Sequence, residues 1–147
     1  MKKVNYYIKI SLCLFISFIF IESIFKFITF KNIFDMSYLR IIIFSLGSSA
    51  LLGFLISFFK EKVSKVLILV IVLFSGVYAI AEMGFYNFMG NYMSFNAAGD
   101  GAGRVLEYVA EFIRYIKPEY YLCLIPFFIL LLIFIFKKAS FIDQLVI

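Results

Sequence analysis

Residues 41–59 read IIIFSLGSSALLGFLISFF, nineteen positions without a charge. About 20 predominantly apolar residues in helical form cross the hydrocarbon core of a bilayer, so this stretch alone places the chain in a membrane. Ser45, Ser49, Gly53 and Ser57 recur at every fourth position within it and share one helical face. In lipid, where packing rather than hydrophobicity draws helices together, such a stripe lets a second backbone come close. Small residues are also common in membrane helices generally. If the stripe is a packing face, its partner helix lies either in this chain or in another.

Working outward, the same criterion predicts spans at about 7–30, 66–86 and 119–136 beside 41–59. The first follows Met1-Lys2-Lys3 and imitates a secretory signal peptide. However, Glu22 and Lys26 interrupt it where a small-residue cleavage site belongs, and apolar residues resume to Phe30. A retained signal-anchor helix is the better reading. The third span follows a basic turn with Lys60, Lys62 and Lys65. The fourth opens at Pro118-Glu119, a proline in the first turn with an acid at the positive end of the helix dipole. Pro126 is expected to kink that helix, which stops before Lys137-Lys138.

The totals agree. Of the 147 residues, 65% are hydrophobic and only 16% charged, with 21 Phe and a mean hydropathy of +1.05. Soluble domains are about 45–50% apolar. The net charge of +5 sits in short clusters between apolar runs, so it reports topology and implies no nucleic-acid partner. With no His and two Cys, the chain lacks the four close ligands of a zinc site. Cys13 and Cys123 fall in opposite leaflets on this topology, too far apart for a disulfide.

Orientation follows from the basic residues. With the N-terminus inside, cytoplasmic segments hold Lys2, Lys3, Lys9, Lys60, Lys62, Lys65, Lys137 and Lys138, against Lys31, Arg40, Arg104, Arg114 and Lys117 outside. The excess of Lys and Arg marks the cytoplasmic side, so both termini are expected inside a bacterial cell membrane. Residues 84–118 then lie outside. Within them Arg104, Glu107, Glu111 and Arg114 are spaced three, four and three, one face of an α-helix over about 103–117. Val105, Leu106, Val109, Phe112, Ile113 and Ile116 make the other face. Such a helix lies in the interface plane or packs as a lid over the bundle. The expected fold is therefore all-α: four transmembrane helices plus one amphipathic interfacial helix on the outer face.

Glu22, Lys26 and Glu82 are costly in lipid, about 2.5–3.5 kcal/mol each at the bilayer centre on insertion scales. All three fall toward the outer ends of their helices. Glu22 precedes Lys26 by four, the favoured order for an ion pair. One expectation is an outer-leaflet pocket of Glu22, Lys26, Arg40, Glu82 and Asn87 that receives a lipid head group, its phosphate at Lys26 and Arg40. The plainer one is internal pairing with snorkelling at helix ends. No nucleophile–base arrangement is present, and the Gly99–Gly103 run lacks the strand and helix context of a phosphate loop.

The order of features from Tyr86 to Pro126 resembles the membrane domain of lipoteichoic acid synthase-like proteins. These are phosphoglycerol transferases of the sulfatase/alkaline-phosphatase superfamily. The likeness rests on the aromatic-Asn end of the third span, Asn91-Tyr92-Met93-Ser94-Phe95, a Gly-containing loop, the amphipathic run and Lys117-Pro118. The order of spans fits over all 147 residues. The resemblance implies five membrane helices and then an extracellular catalytic domain with a Thr nucleophile and a divalent metal. Here four spans are expected, and Leu145-Val146-Ile147 stands where a fifth would begin. No catalytic or metal position of the family lies in this chain, so no cofactor is expected in it, and activity on phosphatidylglycerol would belong to the missing domain.

Two functions fit this pattern. In the first the chain is a membrane anchor that positions an outer catalytic domain at its lipid substrate, its partners being membrane lipids such as phosphatidylglycerol. In the second it is a free-standing four-helix membrane protein, an interaction subunit or small transporter-like factor. The reading frame downstream separates them. A self-contained membrane enzyme lacks a catalytic constellation.

Overall fold

The computed structural model describes residues 2–31, 35–89 and 113–136. Every regular element among them is helical: α1 (Lys2–Phe30), α2 (Met36–Ile56), α3 (Glu61–Met89), a 3₁₀ segment (Pro118–Leu124) and α4 (Ile125–Phe136). Four stretches are long and apolar enough to cross a membrane: Val4–Phe30, Met36–Ile56, Glu61–Asn87 and Pro118–Ile135. Only 22–33% of each is buried against the rest of the protein. The apolar majority therefore faces outward, as lipid requires and water would penalise.

Local chemistry sets the boundaries. Asp35 has extended backbone, and its carboxylate accepts hydrogen bonds from the N–H groups of Ser37 and Tyr38, capping α2. That cap starts the second span at Met36 rather than at 41, so Arg40 lies inside the helix. The same helix ends at Ile56, short of 59, and Ser57 closes it with its hydroxyl on the Phe54 carbonyl at 2.7 Å. Ser64, 1% exposed, turns back from α3 and sets its hydroxyl 3.1 Å from the Ile56 carbonyl. This ties the α2–α3 corner.

The fourth span departs from a kinked α-helix. Pro118 and Glu119 occupy its first turn, but the backbone runs as 3₁₀ through Leu124 before α4 begins at Ile125. Pro126 thus falls in the first turn of α4, where its absent N–H is not needed. The proline marks a change of helix type and does not bend a continuous helix.

α1 lies at the centre: it packs most closely on α2, then on α3, and also touches both parts of the fourth span. Ile10, Leu14 and Ile21 of α1 meet Val72, Ala79 and Met83 of α3, with Tyr120 and Cys123, in one buried cluster. The small-residue stripe has its partner in α1. Ser45, Ser49 and Gly53 are buried, with Ile56 instead of Ser57 completing the face. A Cβ added to Gly53 would meet the Ser11 Cα at 3.1 Å. Similarly, one added to Gly76 would meet the Cys123 carbonyl oxygen at 2.9 Å, where the 3₁₀ segment crosses α3. Cys13 and Cys123 are both free.

Candidate functional site

α2 leans on α1 and barely meets α3. The gap between α2 and α3 is therefore a cleft floored by α1. A cavity of about 230 Å³ in this cleft is lined by Glu22, Ser45, Ser48, Ser75, Tyr78 and Glu82 among mostly apolar neighbours. An adjoining cavity of about 470 Å³ shares Glu22 and Ser45 and adds Arg40. At about 1.5 Å per residue, Glu22, Glu82 and Ser45 each lie about 10–14 Å in from the same end of their helices. Three antiparallel passes have brought them to one depth.

The five residues expected to form a head-group pocket are thus distributed. Glu22, Arg40 and Glu82 line the two cavities. Lys26 lines neither. It is 3% exposed, and its ammonium forms an ion pair with Asp35 and donates to the Ser37 hydroxyl at 2.6 Å. It also stands 5.7 Å from the centre of the Tyr38 ring, within cation–π reach. The partner is the cap of the next helix rather than Glu22 on its own. Asn87 turns away too, donating from its amide to the Tyr120 hydroxyl across α3 and the fourth span.

Asp35 lies in the turn between two spans. The hydrogen bond from Lys26, then that from the Ser37 hydroxyl, draws its pKa down from 3.8 to about 2. A buried ammonium is tolerable only when a charge of opposite sign compensates it, and Asp35 supplies that charge while capping α2. One residue does both jobs.

Of the expected interfacial helix, Arg104, Glu107 and Glu111 lie outside the described residues. Arg114 is helical and exposed, and the turn that follows closes with the Ile116 N–H on the Ile113 carbonyl at 3.2 Å. Among the described residues no three of His, Cys, Asp and Glu gather as metal ligands would. Asp35, Ser37 and Tyr120 are residues that charge cost and helical periodicity do not single out. A signal for the first existed: Asp35-Met36-Ser37 stands just ahead of an apolar run, as an N-cap does.

These elements define a helical, multi-pass membrane protein. Comparison with known protein families, with curated proteins and with solved structures finds no match to the chain.

Proposed function

We propose that the chain is a membrane-embedded positioning module, resembling the membrane domain of lipoteichoic acid synthase-like phosphoglycerol transferases. It sits in a bacterial cell membrane with both termini cytoplasmic and holds an outer catalytic domain at phosphatidylglycerol. The supporting observation is the antiparallel course of the four passes. α3 ends and the fourth span begins on the side opposite Lys2, joined there by the Asn87–Tyr120 hydrogen bond. The end of α3 and the start of the fourth span therefore lie together on one face. The basic-residue count makes that face external, and Arg104, Glu107, Glu111 and Arg114 form the wet side of a helix lying in its interface. Arg40, near the same end of α2, is the cation offered to a lipid phosphate.

Two measurements test this reading. In a background with Cys13 and Cys123 replaced by Ala, Asp100→Cys reacts with an impermeant maleimide in intact cells. Lys60→Cys reacts only after permeabilisation, and the opposite pattern would reject the placement. Native mass spectrometry of the purified protein should retain phosphatidylglycerol over phosphatidylethanolamine, with Arg40→Gln erasing the preference. Equal retention of both lipids by the wild type would remove the lipid-positioning role.

A further inference from the structure

We propose that the cleft between α2 and α3 binds a small organic cation, an ammonium group held between Glu22 and Glu82 against aromatic walls. The inference stands whether the chain anchors an enzyme or acts alone.

Charge comes first. Two carboxylates line one cavity inside a membrane span, and among the described residues no basic side chain lines it with them. Arg40 lines only the adjoining cavity, which Glu22 also borders. Lys26 is already committed to Asp35. Two like charges in a poorly hydrated cleft repel, and a bound cation or proton relieves them. An anion, including a lipid phosphate, would be opposed in this cavity.

A second observation is independent of the acids. Ser45 is 3% exposed and lines both cavities, yet its hydroxyl has no hydrogen-bond partner among the described residues. By contrast Ser75, on the facing wall, donates to the Ile71 carbonyl at 2.8 Å, and Ser49, a turn along from Ser45, donates to Leu46 at 3.0 Å. The wholly enclosed hydroxyls without a partner among the described residues are those of Tyr6 and Ser11, whereas Ser45 borders the two cavities and is open to a ligand in the cleft.

The walls choose between kinds of cation. Phe18, Phe25, Phe44, Phe74 and Tyr78 line the same cavity as the carboxylates. Aromatic faces attract ammonium groups, and aromatic enclosures are the recurrent solution for binding them. A hard metal ion such as Ca²⁺ takes about 6–8 oxygen ligands, which this mostly apolar lining does not present. At about 230 Å³ the cavity is smaller than the usual drug-sized pocket of about 300–1,000 Å³, so the ligand is small. Phe44 and Phe74, 74% and 71% exposed, stand on the two sides of an opening toward lipid. The ammonium can therefore belong to a free amine or to an amine lipid head group.

The test is equilibrium dialysis of radiolabelled tetraethylammonium against the purified full chain in neutral detergent at pH 8. The expected result is saturable binding of one probe per chain, at least tenfold weaker in Glu22→Gln and in Glu82→Gln. Phe74→Leu and Ser45→Ala, which change no charge, are each expected to weaken it about threefold. If the carboxylates take no part in binding, their neutralisation leaves probe affinity unchanged, and that result overturns the proposal. So does the absence of saturable binding to the wild type, or displacement of the probe on exchanging KCl for NaCl at constant ionic strength, which would mark an inorganic-ion site. Displacement by phosphatidylethanolamine in mixed micelles assigns the ammonium to a lipid, and displacement by free ethanolamine alone assigns it to a soluble amine. Displacement by neither counts against the site.

Discussion

Lys26 near the end of α1 is locked to Asp35, the residue that caps α2, so one contact neutralises a buried ammonium and closes the first helical hairpin. The two partners are unequal: Lys26 is 3% exposed and Asp35 46%. Removing the carboxylate strands a charge inside, whereas removing the ammonium leaves an acid that water can still reach. Asp35→Ala is therefore expected to lower the melting temperature in detergent more than Lys26→Met does. The double variant should recover part of the Asp35→Ala loss. Equal damage from both single variants would show that loss of the ion pair, common to both, carries the effect and that neither the cap nor a stranded ammonium adds to it.

The same pair sets an acid limit. Asp35 has its folded pKa depressed from 3.8 to about 2, so its contribution is fully present above 3.8 and is lost as pH falls through about 2. Melting temperature measured between pH 5 and pH 2 should drop for the wild type through that window. Lys26→Met should lose less over the same range. Parallel curves for the two proteins would mean that other carboxylates govern the acid transition.

How much of this was legible beforehand depends on the range of the interaction. The spans could be read because a membrane demands a continuous apolar run, and 41–59 supplies one outright. Lys26 drew attention as a costly residue, but periodicity offered only Glu22, four positions back on the same helix. Its actual partner sits nine positions on, past a turn whose geometry a helical repeat does not encode. Likewise Glu22 and Glu82 were each visible as expensive, while their convergence on one cleft needed α2 to stand away from α3. Pro126 signals a disturbance in the fourth span, and that disturbance is a change of helix type instead of the expected kink. A 3₁₀ run of seven residues is uncommon, and local sequence gives little warning of it.

Two glycines in α2 should behave oppositely. A Cβ on Gly53 would press on Ser11 Cα and Cβ, both at 3.1 Å, whereas one on Gly47 meets nothing within 4 Å. Overpacking a close seam costs about 1–3 kcal/mol, so Gly53→Ala is expected to destabilise by that order. Gly47→Ala should be neutral or stabilise by up to about 1 kcal/mol through helix propensity. Reversible unfolding in mixed micelles measures both. A tolerated Gly53→Ala would show that α1 and α2 can part without loss.

The Asn87–Tyr120 hydrogen bond is the last tie, and its position makes it testable apart from general packing. Tyr120 is 1% exposed and wedged in the core, while Asn87 is exposed at the far end of α3. Tyr120→Phe keeps the ring and its burial but removes the hydroxyl. An ordinary hydrogen bond contributes about 0.5–1.5 kcal/mol net, and the freed Asn87 amide can turn to water, so the loss should stay within that range. Tyr120→Ala also empties the space of a buried ring and should cost about 3–5 kcal/mol by analogy with other aromatic truncations. Beyond stability, the tie fixes where the chain re-enters the bundle. Hydrogen exchange at residues 118–124 should therefore quicken in Tyr120→Phe while α1 and α2 are unchanged. Uniform quickening across all helices would mean that the hydroxyl supports the whole bundle and does not serve as a local clasp for the fourth span.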